Sequence, residues 1–151
     1  MSLLLYNAYI EETFMKIIVI DGQGGNIGKQ LVKSIRDSFP EAYIRAVGTN
    51  SAATSNMLKG GADEGATGEN AVIVAARSAD LIVGPIGIII PDALLGEVTP
   101  LMARAIGESS AKKVLIPLNR CDVLIAGIKN RSTGELLEDT IEKIHAIIKE
   151  G

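Results

Sequence analysis

Three glycines between an apolar run and a helical pattern are the residues of this chain whose spacing could do chemistry. Gly22, Gly25 and Gly28 are each separated by two residues, within the stretch KIIVIDGQGGNIGKQ of residues 16–30. This spacing allows a tight turn that leaves backbone N–H groups uncovered at the positive end of the helix dipole, where a phosphate can bind. The sequence therefore predicts an anion-binding turn made of Gly22, Gln23, Gly24, Gly25, Asn26, Ile27 and Gly28.

The elements that must position this turn follow from the pattern of apolar residues around it. Ile17–Ile20 is a continuous β-branched run, which is typical of a strand buried on both faces of a parallel sheet. Ile27, Leu31 and Ile35 then recur at helical spacing. A strand that passes through a glycine turn into a helix indicates an α/β fold with a parallel sheet.

This segment resembles the opening βαβ unit of Rossmann-type dinucleotide-binding proteins, and it is most similar to the extended and atypical short-chain dehydrogenases, which use the same glycine spacing. From Met15 onward, the order IDGQGGNIGKQ, VGTN, GATGEN, GPIGI and IPLN also resembles a bacterial family of short proteins described only as a domain of unknown function. The first resemblance implies a Rossmann-like fold with NAD(P) or another nucleotide as the ligand. The second covers nearly the whole chain and implies no activity.

Two features of the dinucleotide-binding pattern are missing. Rossmann-type folds usually carry an acidic residue about 20 residues beyond the glycines, where it holds the ribose hydroxyls. Here that place reads Val47, Gly48, Thr49 and Asn50, so NAD is less expected than the turn alone suggests. The Tyr-x-x-x-Lys pair of short-chain dehydrogenases is absent too. We assign Thr49 and Asn50 to the ligand site as hydrogen-bonding groups, with N-capping of the next helix as the alternative role of Asn50.

A P-loop is the alternative interpretation of GGNIGK, residues 24–29. A Walker motif has four residues between its glycines and a Ser or Thr after its Lys, which binds magnesium. Here the spacing is one residue short and Gln30 follows Lys29, so the magnesium ligand is missing. We therefore do not favour a P-loop.

Two carboxylates are candidates for acid–base catalysis. Asp21 ends the first strand and could hold a ribose hydroxyl or a metal, whereas its structural role would be to cap the N–H groups of the turn. Glu69 belongs to GGADEGATGEN, residues 60–70, which is either a connector or, as we favour, a mobile flap over the ligand. Glu69 would then be a general base, whereas its structural role would be that of a first-turn helix carboxylate. Catalysis thus stays open, and the spacing of His, Cys and carboxylates predicts no metal site.

The remaining apolar runs predict a Rossmann-like three-layer sandwich with helices on both faces. Gly84 ends one of the strands and Pro85 follows it, which suggests that the backbone there passes close to either the ligand or a neighbouring helix. We add both residues to the ligand site because ligands bind at the carboxyl ends of parallel strands. Val123–Ile128 follows the last parallel strand too closely for a crossover helix, which predicts an antiparallel edge strand. The four parallel strands are expected at residues 17–20, 42–48, 80–84 and 113–118.

Composition limits the class of protein and its partners. The chain has 151 residues, enough for a single domain, which we place at residues 15–149. Residues 1–14 are expected to be an N-terminal extension, and its start, Met1-Ser2-Leu3, is typical of a cloning remnant. A net charge of −3 without a basic face argues against nucleic acid, and no apolar run is long enough to span a membrane. A lone cysteine favours the cytoplasm.

The sequence thus predicts a small cytoplasmic protein that binds a nucleotide, a dinucleotide or another phosphorylated metabolite at its glycine turn. The apolar stretch of residues 86–95 either covers the edge of the sheet or faces another subunit, and we favour a homo-oligomer because exposed apolar patches usually mark interfaces. Two alternatives stay open. One is an enzyme that acts on a small phosphorylated substrate by carboxylate acid–base catalysis, and the other is a non-catalytic oligomeric protein in which the glycines only let the helix pack on the strand.

Overall fold

The computed structural model describes residues 2–3, 15–118 and 123–150. The predicted N-terminal extension, apart from Ser2 and Leu3, lies outside the described residues. So does the connection of residues 119–122, where the sequence predicts a hairpin turn.

A sheet of five parallel strands forms the centre of the fold. In space the strands follow the order β3-β2-β1-β4-β5, and all four pairings are parallel. The connections therefore run to one side of β1 first and then to the other, which makes the gap between β1 and β4 a topological switch point. The strands are β1 (Lys16–Asp21), β2 (Tyr43–Gly48), β3 (Glu64–Thr67), β4 (Leu81–Pro85) and β5 (Lys112–Ile116).

In the described ranges, five helices of eight or more residues cover the two faces of the sheet. They are α1 (Asn26–Ser38), α2 (Ser51–Lys59), α3 (Glu69–Ser78), α4 (Pro100–Glu108) and α5 (Thr133–Glu150). Buried residues of α1, α2 and α5 share one core cluster, and those of α3 and α4 share the other. The predicted α/β fold, with a parallel sheet between helices, is confirmed.

The central strand β1 is buried on both faces, as its unbroken β-branched run predicts. Ile18 and Ile20 belong to the core cluster under α3 and α4, whereas Ile17 and Val19 belong to the cluster under α1 and α2. All four are at most 1% exposed. Each buried aliphatic side chain of this kind stabilises the fold by about 1.5–3 kcal/mol, so β1 holds both layers together.

The predicted antiparallel edge strand is wrong. Residues 123–128 form no strand, and among the described strands β5 is itself the edge of the sheet. Pro117 follows β5 directly and lacks the N–H group that a strand needs. The apolar side chains that suggested a strand are partly turned to solvent, and Leu124 is 94% exposed.

One strand has no apolar run in its sequence and is not among the predicted strands. β3 reads EGAT and pairs with β2 in parallel, inside the segment that we interpret from sequence as a mobile flap. Its residues are mostly exposed, and the hydroxyl groups of Thr67 and Thr54 form a hydrogen bond of 2.7 Å that ties it to α2. The flap interpretation of residues 60–70 is therefore wrong in its central part.

The apolar stretch after β4 turns mostly inward. A single 3-10 turn, Ile86–Ile89, follows β4, and residues 90–98, here called the strap, lead from it towards α4. Ile88, Leu94 and Val98 are buried in the core cluster under α3 and α4. The apolar surface expected at residues 86–95 is thus largely used inside the chain, and homo-oligomerisation stays a prediction.

Within the described ranges, no helix combines the length and the apolar character that crossing a membrane requires.

Candidate functional site

The glycine turn lies at the carboxyl end of β1, with the ends of β2 and β4 on either side of it. The turn of residues 22–25 leads from β1 into α1, and Thr49 and Asn50 lead from β2 into α2. The amide of Thr49 donates to the Asp21 carbonyl over 3.0 Å, which holds the two strand ends together. The structure therefore brings together the predicted residues of the turn and those that follow β2.

The carboxylate of Asp21 accepts hydrogen bonds from backbone amides at both ends of the glycine turn. One of its oxygens accepts the Gly22 amide at 2.8 Å, and the other accepts the Gly28 amide at 2.7 Å. Asp21 is only 4% exposed, so these charge-assisted hydrogen bonds form away from water. Asp21 has the geometry of the structural role considered for it, that of a cap within the turn.

The N-cap residue of α1 supplies no side-chain cap, and the Asp21 carboxylate accepts the amide of the third residue of this helix, Gly28. Gly25 is its N-cap residue, in the left-handed conformation with φ of 72°, and no acidic residue lies in the first turn. Among the described residues, no acceptor pairs with the backbone amides of Gly24, Asn26 and Ile27. These three donors lie at the positive end of the helix dipole, which is the arrangement that binds anions.

Asn50 serves two structural purposes at once. Its side-chain oxygen accepts the Ala53 amide at 2.9 Å, which makes it the N-cap of α2. Its side-chain nitrogen donates to the Gln23 carbonyl at 2.9 Å, which ties α2 to the glycine turn. The predicted cap is therefore present, and the remaining hydrogen-bonding capacity of Asn50 faces the turn.

The structure adds one residue that sequence reasoning misses, Glu97 on the strap. Its Oε1 accepts hydrogen bonds from the Asn50 side chain at 2.6 Å, from the Thr49 hydroxyl at 2.8 Å and from the Gln23 amide at 3.0 Å. A carboxylate thus lies beside the end of β2, where Rossmann-type folds place an acidic residue and where this chain has none in sequence. No local pattern could have revealed it, because Glu97 lies 74 residues beyond Gln23.

The hydrogen bonds to Glu97 favour its charged form. Partial burial by itself would raise the pKa of the Glu97 carboxyl, but the hydrogen bonds from Thr49, Gln23 and Asn50 together outweigh that effect and lower the pKa. Glu97 is therefore an anion at neutral pH, held by three donors.

Acidification is expected to weaken these contacts. A carboxyl whose pKa is lower in the folded chain contributes stability above its unfolded pKa, about 4.3, and this contribution is lost as the pH falls through the folded pKa. We expect the wild-type protein to lose more of its free energy of unfolding than Glu97→Gln between about pH 5 and pH 3. Urea denaturation of both proteins across this range tests it, and parallel curves would contradict it.

Three residues predicted for the site do not join the group of side chains and amides at the glycine turn. Gly84 is a glycine because a side chain there would collide with the carbonyl oxygen of Ile20 on β1. Pro85 is buried as the last residue of β4. Glu69 begins α3 beyond the edge strand β3, with β2 between that strand and β1. No described hydrogen bond joins Glu69 to the glycine turn, so it matches the first-turn carboxylate that we considered as its structural role.

The acidic residues of the site form no metal-binding cluster. In the part of the chain that the structure describes, no group of three or more His, Cys, Asp or Glu side chains is placed to hold a metal ion.

One protein family matches this chain over every strand of the sheet. The family described as Domain of unknown function (DUF3842) matches residues 16–149. The chain belongs to this family. The DUF3842 match runs from the first residue of β1 to the last residue but one of α5, so it includes the whole candidate site. The resemblance to a family known only as a domain of unknown function is confirmed.

No protein of curated function matches this DUF3842 chain. Among solved structures, it is similar to a dodecameric FMN-dependent UbiX-like decarboxylase from Escherichia coli O157:H7, with 16% sequence identity and a TM-score of 0.44 over 88% of this chain and 76% of that chain. This likeness is too distant to carry the cofactor, the reaction or the assembly of that protein over to DUF3842.

Proposed function

We propose that this DUF3842 protein binds a nucleotide, a dinucleotide or another phosphorylated metabolite at the carboxyl ends of β1 and β2. The observation that carries the proposal is a group of three backbone amides without an acceptor at the start of α1. The amides of Gly24, Asn26 and Ile27 have no acceptor among the described residues and lie at the positive end of the helix dipole. A phosphate placed there would accept hydrogen bonds from donors that are already oriented.

The contacts of Glu97 support the same proposal. Its carboxylate shows that the Gln23 amide, the Thr49 hydroxyl and the Asn50 side chain converge on one anionic oxygen. Donors that converge on a negative charge are a feature of sites for phosphate and carboxylate ligands. The glycine turn is thus flanked by two sets of donors, one occupied by Glu97 and one facing outward.

The proposal is for binding, and it assigns no catalytic role to the two predicted carboxylates. Asp21 is buried and accepts two backbone amides, which leaves it poorly suited to take a proton from a substrate. Glu69 lies beyond the edge strand β3. A general base must lie within hydrogen-bonding distance of the proton that it removes.

A thermal-shift screen tests the proposal. The panel contains ATP, ADP, AMP, NAD(H), NADP(H), flavin nucleotides, sugar phosphates and inorganic phosphate. A ligand that binds only the folded chain stabilises it by about 2.7 kcal/mol at a concentration 100 times its Kd, which raises the Tm of a chain of this size by roughly 5–10 °C. We expect at least one phosphorylated compound to produce such a shift, and a panel without any response would contradict the proposal.

Gly24→Val is the matched binding variant. A Cβ at Gly24 meets no atom within 4 Å, so valine is compatible with the fold but crowds the approach to the Gly24 amide. We expect an unchanged Tm without ligand and the loss of most of the ligand-induced shift. Gly107→Val is the control, because Gly107 also has open space around it but lies near the end of α4. A full ligand response in Gly24→Val would place the ligand elsewhere.

A further inference from the structure

The carboxylate of Glu97 occupies donors that a ligand at the glycine turn would use. Its Oε1 alone accepts the Gln23 amide, the Thr49 hydroxyl and the Asn50 side chain, at 2.6 to 3.0 Å. We propose that Glu97 is an internal competitor for the site: the anionic group of an incoming ligand displaces its carboxylate, and the strap of residues 90–98 then moves away from the turn. This inference rests on the proposed function, because it describes the regulation of the same site.

Electrostatics makes displacement the expected outcome of binding. A phosphate oxygen bound to the same three donors would have to take the place of Glu97 Oε1. If the Glu97 carboxylate stayed beside it, the two negative charges would repel each other strongly in this partly buried site. Hydrogen bonds lower the pKa of Glu97, so its charge is present at neutral pH and the repulsion cannot be avoided by simple protonation. An anionic ligand that uses these donors therefore needs Glu97 to leave.

The backbone of the strap is consistent with a second conformation. Asp92, Leu94 and Leu95 have φ angles of 65°, 57° and 57°, in the left-handed region that residues other than glycine rarely adopt. The side chain of Leu95 is 96% exposed, so burial does not compensate for its unfavourable backbone. Opening that rearranges the internal turns of the strap would relieve this strain.

Few side chains hold the strap against the turn. Leu94 is 7% exposed, and it lies so close to Gly22 that a Cβ at Gly22 would be 2.9 Å from its Cδ1. Glu97 supplies the polar contacts described above. Other hydrogen bonds of the strap are internal, such as those from the Gly96 amide to the Asp92 carbonyl and from the Val98 amide to the Ala93 carbonyl. The closed position over the turn thus depends on the Leu94 contact and the Glu97 carboxylate, and the end of the strap is held in the core by Val98, which is 1% exposed.

Titration calorimetry with inorganic pyrophosphate and with ADP tests the inference on three proteins: the wild type, Glu97→Gln and Asp92→Asn. Glutamine keeps the size of Glu97 but removes the charge that competes with the ligand. If the closed strap leaves the site available about one-tenth to one-hundredth of the time, Glu97→Gln should bind about 10- to 100-fold more tightly than the wild type. Asp92→Asn removes the same charge from an exposed position on the strap and should bind like the wild type.

Hydrogen exchange provides a readout of the strap itself. The amides of Asp92, Gly96, Glu97 and Val98 all donate hydrogen bonds within the closed strap. Bound ligands usually slow exchange, but here we expect pyrophosphate or ADP to speed exchange at these amides in the wild-type protein. Slower or unchanged exchange there would contradict the opening of the strap.

The outcomes separate this inference from the proposed function. Binding to Glu97→Gln that equals or falls below binding to the wild type would overturn the competition and leave the binding site in place. If Asp92→Asn bound the ligand as tightly as Glu97→Gln does, the gain in affinity would come from the lower net charge of the chain, and the competition by Glu97 would again be overturned. If neither pyrophosphate nor ADP binds any of the three proteins, the competition is overturned as well, and the wider thermal-shift panel decides the binding site independently.

Discussion

Asp21→Asn is expected to lower the free energy of unfolding by about 2–4 kcal/mol. The Asp21 carboxylate accepts the amides of Gly22 and Gly28 at 2.8 and 2.7 Å in a site that is only 4% exposed. Asparagine can accept only one of these two amides, and its NH₂ group would face the other. A hydrogen bond to a charged group contributes about 1.5–3 kcal/mol, and a buried donor left without an acceptor adds a further penalty.

Urea denaturation of the wild type and of Asp21→Asn measures this loss. Asp37→Asn is the control, because Asp37 forms only an exposed ion pair with Lys33 at 3.2 Å, and such pairs contribute about 0–1 kcal/mol. If Asp21→Asn were as stable as Asp37→Asn, the carboxylate would not be a structural cap, and a functional role for Asp21 would return.

Gly25→Ala is expected to destabilise the protein by about 3 kcal/mol or more, because backbone strain and a steric clash add together. Gly25 has a φ of 72°, and a left-handed backbone costs about 1–2 kcal/mol for a residue with a side chain. A Cβ there would also lie 2.7 Å from the Ala53 Cα and 2.8 Å from the Ala53 oxygen. Both atoms belong to the backbone of α2, so relief of the clash requires the two helices to move apart.

The neighbouring glycine is a direct control. A Cβ at Gly24 would meet no atom within 4 Å, and its φ is not positive, so Gly24→Ala should leave stability unchanged or raise it by up to about 1 kcal/mol. Thermal and urea unfolding of the two alanine variants checks the difference. Similar stability of Gly25→Ala and Gly24→Ala would mean that α1 and α2 pack less closely at this turn than the structure indicates.

Gly25 and Gly24 show that the glycines of this turn have two different roles. Gly25 allows close packing of α1 against α2, whereas Gly24 leaves open space beside the turn. Gly28 has Met57 and Asp21 where a side chain would lie, and Gly22 has Thr49 and Leu94. Close contacts within the chain therefore explain why Gly22, Gly25 and Gly28, the residues of the regular spacing, are glycines. This explanation agrees with the alternative in which the glycines only let the helix pack on the strand. Gly24, which is outside that spacing, is the glycine of this turn with open space beside it. The outward-facing amides, and not the spacing itself, are what favour a ligand.

Several parts of the site can be predicted because they depend on neighbours in sequence. The Asn50 side chain caps α2, and a cap needs only the amides two or three residues ahead. The Asp21 cap is also accessible to sequence reasoning as an alternative, because the turn that it closes is only seven residues long. Catalytic roles for Asp21 and Glu69 rest on residue type alone, and the positions of these residues give them little support.

The sequence by itself determined β1, the glycine turn and α1, because a continuous β-branched run and a helical repeat are each complete within a few consecutive residues. Only the tertiary structure decided that EGAT is a strand, since its hydrogen bonds come from β2 and its own side chains carry no apolar signal. Tertiary structure alone also brought Glu97 to the mouth of the turn. That contact joins residues 74 positions apart, and it depends on how the strap packs against the core, which no local pattern encodes.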